Sequence, residues 1–232
     1  MDVAIFRWIN EGWSLPFLDG FFSFVTDIRH FWILIVALLL YWVWKGGSKG
    51  RWLVFSLILA VLISDQTASH VIKGFVERVR PCNALDNVLT PAGKSGAFSF
   101  PSSHAANMGS SMFLLAMAFK PWRWLFVLIA LLVGLSRIYL GLHYPSDVFG
   151  GYVFGLLIGY GVWWGVEKLK VRFQNVFMGS SSPSPLAGEG RVRGINVKDS
   201  NHPHPSPLPS RERGSVIAHA SPKGRKRVRK KR

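Results

Sequence analysis

The sequence predicts an all-α fold, a polytopic membrane bundle of five or six transmembrane helices. The chain has 232 residues, of which 49% are hydrophobic and only 17% are charged. Soluble domains carry about 25% charged residues. The ten Trp and seventeen Phe residues point the same way, because aromatic side chains are enriched at bilayer interfaces.

Residues 1–28 are expected to form an N-terminal amphipathic segment. Apolar side chains recur there at helical spacing, and they are Ile5, Phe6, Ile9 and Trp13. Arg7 and Glu11 would lie on the opposite side, as in a helix on the membrane surface. Residues 15–28 are a short apolar run interrupted by two aspartates. The chain has six spans if this run also crosses the membrane, and five if it does not.

Residues 29–178 are predicted to be the membrane domain. Their apolar stretches are 31–44, 52 to about 78, 104–119, 122–140 and 148–166. Lys120 and Pro121 separate the third stretch from the fourth, because a helix usually ends before a proline. The last stretch contains Gly150, Gly151, Gly155, Gly159 and Gly161. Small residues at such spacing let helices approach closely in lipid.

Residues 179–232 are predicted to be a disordered basic tail rich in Pro, Ser and Gly. They hold 13 Lys and Arg against 3 Asp and Glu, so most of the net charge of +16 belongs to the tail. The terminal run 223–232 could contact anionic lipid or nucleic acid. Because the excess charge lies outside the expected folded body, we expect no nucleic-acid partner.

Basic loops predict the orientation in the membrane. With five spans, three basic groups share one side: Lys45, Lys49 and Arg51, then Lys120 and Arg123, then Lys168, Lys170 and Arg172. Cytoplasmic loops carry such an excess of Lys and Arg. The C-terminus should therefore be cytoplasmic, and loops 79–103 and 141–147 should lie outside.

Three polar segments stand at predicted membrane boundaries on that outer side. They are Lys73-x6-Arg80-Pro81, Pro101-Ser102-Ser103-His104 and Ser136-Arg137-x5-His143-x3-Asp147. The first continues a polar face of the second span, formed in a continuous helix by Asp65, Gln66, Ser69, His70, Lys73, Glu77 and Arg80. A polar seam between helices, without chemistry, is the alternative for Asp65, Gln66 and His70.

The cations in these segments predict a phosphate site. Lys73, Arg80 and Arg137 would be costly near lipid without an anion. Arg pairs with phosphate oxygens through two parallel hydrogen bonds, and Lys adds a point charge. Ser102 and Ser103 open a helix whose free N–H groups form a second anion site.

The histidines predict acid–base and nucleophilic chemistry. Asp147 lies one helical turn after His143, so its carboxylate could bind one imidazole nitrogen and leave the other free to attack phosphorus. The opposite histidine, His104, would donate a proton to the leaving oxygen. No carboxylate cluster or Cys/His spacing indicates a metal, so we expect neither a metal nor another cofactor.

The three segments resemble the tripartite signature of the type 2 phosphatidic acid phosphatase superfamily. The first and third motifs are complete, and the second has Ser103 where the family usually has Gly. The resemblance covers residues 15–170 and implies a role for each position. Phosphate binding would fall to Lys73, Arg80 and Arg137, with Ser102, Ser103 and Ser136 assisting. His143 would become phosphohistidine, Asp147 would orient it, and His104 would protonate the leaving group.

The resemblance implies a lipid phosphatase of the bacterial inner membrane with an extracytoplasmic site. The short chain and its predicted extracytoplasmic site are similar to those of undecaprenyl diphosphatases, which act in cell wall biogenesis. Dephosphorylation of phosphatidylglycerophosphate, phosphatidate or lipid A is the alternative. A non-catalytic lipid-binding or transport protein belongs to a different class, and it would need no nucleophile and acid pair. The expected partners are the lipid phosphate substrate and membrane lipids, and no obligate protein partner is deduced.

Overall fold

A computed structural model of the chain describes residues 1–178. Within them lie the helices Asp2–Asn10 (α1), Pro16–Thr26 (α2), Trp32–Lys45 (α3), Gly47–Gln66 (α4), Lys73–Val76 (α5), Pro81–Ala84 (α6), Ser103–Ala118 (α7), Arg123–Tyr139 (α8) and Pro145–Met178 (α9). The only extended pairing in this part is an isolated bridge between Val79 and Phe98. The all-α prediction is therefore confirmed there, whereas the predicted tail, 179–232, lies outside the described residues.

Three helical stretches are long and apolar enough to cross a membrane by length and composition: Gly47–Val76, Lys120–Tyr139 and Pro145–Val176. The helix α3 is apolar but shorter. None of its side chains is buried, and such an apolar surface is unfavourable in water and suited to lipid. The chain is an integral membrane protein on these grounds, and five spans stay a prediction.

The helix α2 favours five spans over six. Its 11 residues extend about 16 Å at 1.5 Å per residue, and the hydrocarbon core is about 30 Å thick. It packs against α8 instead. The Phe22 and Tyr139 ring centroids lie 4.6 Å apart, and the Tyr139 hydroxyl donates a 2.6 Å hydrogen bond to Asp19.

The second span differs from its prediction at both ends. The helix begins at Gly47, passes through a π-helical turn at Thr67–Ile72, and ends at Val76. Glu77 then adopts a left-handed backbone with φ of 50°, which terminates helices. The expectation of one continuous helical face reaching Glu77 and Arg80 was wrong, because the chain turns and becomes extended before Arg80.

Glycines bring α9 directly onto α7. A Cβ atom at Gly151, Gly155 or Gly159 would clash with backbone carbonyl oxygens of α7 or its cap. The spacing of four residues keeps these glycines on one side of α9, so the predicted close approach occurs here. The Ser102 N–H also donates a 3.0 Å hydrogen bond to the backbone oxygen of Asp147. The first turns of the two helices are therefore neighbours.

The last helix is longer than the predicted stretch 148–166. It starts at Pro145 and continues to Met178. Proline suits a first helical turn, since its missing N–H would be unpaired there anyway. Beyond the apolar stretch the helix continues with charged side chains, including Glu167 and Lys170, which pair at 2.6 Å. Charge beyond a span does not end a helix, so hydropathy underestimated its length.

Candidate active site

The three predicted polar segments meet at one end of the bundle. Lys73 begins α5, His104 lies in the first turn of α7, Arg137 lies in the last turn of α8, and His143 precedes α9. Lys73, Arg80 and Arg137 are close enough to repel one another, and all three repel a protonated His104. This end of the protein therefore concentrates positive charge around two histidines.

Arg80 contacts His143 directly. The Arg80 side chain is 6% exposed, and its terminal nitrogen lies 3.2 Å from Nε2 of His143 and 3.1 Å from the Leu142 carbonyl oxygen. Because a guanidinium only donates hydrogen bonds, Nε2 accepts, and the proton of the neutral imidazole resides on Nδ1. In this tautomer the lone pair of Nε2 faces the Arg80 guanidinium.

Burial keeps His143 neutral. Removal from water, with the positive charges of Arg80 and Arg137, lowers the pKa of His143 to about 4 despite the raising effect of Asp147. The neutral, nucleophilic form is thus fully present at pH 7 and is lost only as the pH falls through about 4. His143, which is 2% exposed, is therefore an uncharged imidazole at physiological pH.

Asp147 faces the other nitrogen of His143. Its Oδ2 lies 3.8 Å from Nδ1, longer than a hydrogen bond, and Nδ1 has no other partner within residues 1–178. Hydrogen bonds to both of its oxygens fix the orientation of the Asp147 carboxylate. The Tyr144 N–H donates to Oδ2 at 2.8 Å, and Arg78 donates to Oδ1 at 2.7 Å. A shift of the ring by about 1 Å would complete an Nδ1–H to carboxylate bond of ordinary length.

Arg137 combines a structural contact with a free donor. It is 7% exposed and donates to the Thr26 hydroxyl at 2.9 Å. The Nε atoms of Arg80 and Arg137 are buried without a protein partner in the described part of the chain. Buried donors normally have acceptors, and two guanidinium groups with spare donors match a phosphate.

The predicted serines differ in what their hydroxyls do. Ser103 accepts a 2.7 Å hydrogen bond from Lys73, and its hydroxyl lies 3.0 Å from that of Ser69. The Ser102 hydroxyl caps α7 by accepting from the Ala105 N–H at 3.4 Å. Ser136 donates at 2.6 Å to a backbone oxygen one turn earlier in α8. Lys73 and Ser103 are thus hydrogen-bonded to each other beside the start of α7, while the Ser102 and Ser136 hydroxyls form hydrogen bonds with backbone groups.

A cavity of about 740 Å³ opens beside His104. His104 and Arg137 line it, and so do Arg29, His30 and Lys94 from the surrounding loops. Arg29 is paired with Asp27 at 2.7 Å, whereas Lys94 forms no ion pair within residues 1–178. The cavity gives a large leaving group room next to the histidine that was predicted to protonate it.

Sequence reasoning missed Arg78, Asp2 and Thr26. Arg78 was detectable, because the residue before a proline is usually extended and residues two apart on an extended segment face the same side. Arg78 and Arg80 indeed both reach the segment 142–147. No local signal links Asp2 or Thr26 to the motifs. Within residues 1–178, no three His, Cys, Asp or Glu side chains are grouped as metal ligands.

Comparison with known proteins gives consistent matches. The family model described as the PAP2 superfamily matches residues 49–170. A lipid A 4'-phosphatase of Bacteroides thetaiotaomicron is 30% identical over 82% of this chain and 85% of its own length. An undecaprenyl-diphosphatase of Sulfolobus acidocaldarius is 30% identical over 68% of this chain and 75% of its own. The crystal structure of a transmembrane PAP2-type phosphatidylglycerolphosphate phosphatase from Bacillus subtilis superposes with a TM-score of 0.53, at 26% identity, over 71% of this chain and 86% of that one.

Proposed function

The chain belongs to the PAP2 superfamily of phosphatases, and we propose that it hydrolyses a membrane lipid phosphate through a phosphohistidine at His143. The observation that carries this proposal has two parts: Arg80 lies 3.2 Å from the neutral imidazole of His143 and Arg137 is close enough to affect its charge, and both guanidinium groups keep a buried Nε–H without a partner in the described part of the chain. A phosphate between the two guanidinium groups would draw Arg80 away from Nε2. The freed lone pair would then face phosphorus.

The chemistry divides into two steps. Lys73, Arg80 and Arg137 repel a protonated His104 in the phosphate-free protein, and the negative charge of the bound phosphate offsets this repulsion. Nε2 of His143 then attacks phosphorus and the bond to the leaving oxygen breaks, while the protonated His104 donates its proton to that oxygen. Water then attacks the phosphohistidine, and His104 takes the proton from that water. Lys73, Arg80 and Arg137 stabilise the negative charge on the equatorial oxygens throughout. Asp147 stabilises the positive charge that develops on the imidazole.

The substrate we favour is a polyprenyl diphosphate such as undecaprenyl diphosphate, which would yield the monophosphate. Cleavage of a diphosphate releases an anionic leaving group, whereas cleavage of a phosphatidate-like monoester releases a neutral alcohol. The cavity beside His104 carries the unpaired Lys94 in addition to Arg137. A cation facing the leaving group favours the anionic one.

Lipid A phosphatase activity is the second candidate. The relative from Bacteroides thetaiotaomicron carries that name and aligns over 85% of its own length. Lipid A also presents a second phosphate on its disaccharide, so a cationic cavity suits it as well. Glycerophospholipid monophosphates lack that second charge and are the weaker alternative.

The function can be tested by phosphate release from a lipid panel in excess EDTA. The panel holds polyprenyl diphosphate, lipid A, phosphatidylglycerophosphate and phosphatidate, assayed with the purified full-length protein in detergent. We expect turnover that EDTA leaves unchanged and vanadate inhibits, with the diphosphate hydrolysed fastest. In a second arm, Lys94→Gln should lower kcat/KM for the diphosphate about tenfold and leave hydrolysis of phosphatidate unchanged. Lys49→Gln, in the first turn of α4 at the opposite end of the bundle, is the control.

Each arm has its own contradicting result. Loss of all activity in EDTA with recovery on adding Mg²⁺ would overturn the proposed chemistry. Equal loss on the diphosphate and on phosphatidate in Lys94→Gln would remove the argument for an anionic leaving group. A preference for lipid A that disappears in Lys94→Gln would select the second candidate.

We also propose that the site is extracytoplasmic and the C-terminus cytoplasmic. The basic groups at the end of α3, the start of α8 and the end of α9 lie at helix ends opposite to those that carry the site. The 34 residues of α9 would extend about 51 Å, so its basic end passes beyond a 30 Å core. A reporter fused after residue 178 should be active only in the cytoplasm, and one inserted at Gly93 only outside. The reverse pattern would place the substrate on the cytoplasmic face.

A further inference from the structure

The N-terminal helix contributes a carboxylate to the surroundings of Asp147. Arg78 forms three short hydrogen bonds: 2.7 Å to Asp147, 2.6 Å to the Ser146 hydroxyl and 2.6 Å to Asp2. Asp2 in turn accepts from the Ser146 N–H at 3.0 Å and from the Ser146 hydroxyl at 2.6 Å. Asp2, Arg78 and Ser146 thus form a closed ring of hydrogen bonds at the start of α9, and Arg78 connects this ring to Asp147.

Contacts with Tyr144 and with the rest of α1 fix the position of this hydrogen-bonded ring. The Arg78 guanidinium lies 4.1 Å from the ring centroid of Tyr144, a favourable cation–π geometry. Phe6 of α1 is fully buried and packs on the same tyrosine, with ring centroids 5.7 Å apart. At the other end of α1, Asn10 is 1% exposed and donates to the backbone oxygens of Leu89 and Tyr139 at 2.8 and 2.6 Å. The position of α1 on the site is therefore defined by buried contacts.

We propose that Asp2 and Arg78 are positioning residues for the nucleophile, acting through Asp147; this inference rests on the proposed function. Asp147 must present Oδ2 to Nδ1 of His143, and its Oδ1 is bound by Arg78. Without a second carboxylate, the guanidinium could turn and carry Oδ1 with it. Asp2 prevents that rotation and at the same time binds the first turn of α9.

The charges support this arrangement. Partial burial alone would raise the pKa of Asp2, but the hydrogen bonds from Ser146 and Arg78 hold it below its usual value. Asp2 is therefore ionised at neutral pH. One guanidinium between two carboxylates gives this group one net negative charge, which partly offsets the positive charge of Arg80 and Arg137 and so stabilises the imidazolium-like state formed during attack. The amphipathic α1 is on this account part of the active-site support, in addition to any contact with the membrane surface.

The test compares Asp2→Asn, Asp2→Glu and Arg78→Gln with Glu11→Gln in the full-length protein. Glu11 follows α1, pairs with Arg7 and lies outside the ring, so its variant controls for loss of one carboxylate. Misplacement of a catalytic group by about 1 Å can cost about 10²-fold. We expect Asp2→Asn and Arg78→Gln to lower kcat by about 10- to 100-fold with KM nearly unchanged. Asp2→Glu should keep most of the activity.

A double variant and a binding measurement separate positioning from folding. In an Asp147→Asn background, Asp2→Asn should cause no further loss, because its effect passes through Asp147. Vanadate should raise the unfolding temperature of Asp2→Asn as much as that of the wild type, since the phosphate ligands are intact. Activity of Asp2→Asn equal to Glu11→Gln, an additive loss in the double variant, or a lost vanadate shift would overturn the inference. Absence of turnover in the wild type on every lipid phosphate would instead contradict the proposed function.

Discussion

Replacing His143 with alanine is expected to lower lipid phosphate hydrolysis by about 10⁴-fold or more, because loss of a nucleophile removes the covalent pathway. Arg80, Arg137 and Lys73 would remain, so the variant should still bind substrate and vanadate. The expected signature is a collapse of kcat with a small change in KM. Steady-state phosphate release and vanadate-dependent thermal unfolding measure the two properties separately.

His70→Ala is the matched control for that experiment. His70 lies in the π-helical turn before Lys73 and is exposed, so its loss removes a nearby imidazole outside the site. Its activity should stay within about twofold of the wild type, as for most surface changes away from a site. Substantial turnover by His143→Ala would show that another group attacks phosphorus. An equal loss in His70→Ala would point to an indirect effect on the fold.

Replacing His104 with alanine is expected to slow the reaction in a way that depends on the leaving group. General acid catalysis contributes about 10²- to 10⁴-fold, and a nitrophenolate leaves without needing that proton. His104→Ala should therefore lose up to that factor in the hydrolysis of a lipid phosphomonoester such as phosphatidate, whose leaving group is an alcohol. The loss should be far smaller on nitrophenyl phosphate, if the enzyme accepts it. Its position in the wall of the cavity beside Arg137 supports this role, because a leaving group would occupy that space.

The same variant should also accumulate phosphoenzyme on the nitrophenyl substrate. Without His104, no base activates the water that attacks phosphohistidine, so the second step becomes slow. A burst of nitrophenol followed by slow turnover would reveal this. Equal loss on both substrates and no burst would show that His104 does not act on the leaving oxygen.

The sequence best predicted which side chains share a face of one helix, because that depends only on their spacing along the chain. Asp65, Ser69 and Lys73 recur every four residues, and all three do face α7: Asp65 accepts from Asn107 at 3.2 Å, while the other two contact Ser103. Glycines every four residues likewise indicated the close contact of α9 with α7. Both patterns depend only on helical periodicity, which a sequence displays directly.

Features that depend on tertiary structure were not accessible in this way. Asp2 and Arg78 are far apart in sequence, and only the packing of α1 against α8 and α9 brings them together. The π-helical turn and the left-handed Glu77 change the direction of the chain before Arg80, and neither has a clear signature in residue type. The Ser136 hydroxyl was predicted to assist phosphate binding, yet it donates within α8, a competition that spacing cannot resolve.

Covalent trapping tests the central claim most directly. Wild-type, His104→Ala and His143→Ala proteins would be quenched in alkali during turnover of substrate labelled at its terminal phosphate, because phosphohistidine survives alkali and decays in acid. The account predicts label on the peptide that contains His143 in the wild type, more label in His104→Ala, and none in His143→Ala. Label on the peptide that contains His104, or label that persists in His143→Ala, would contradict it.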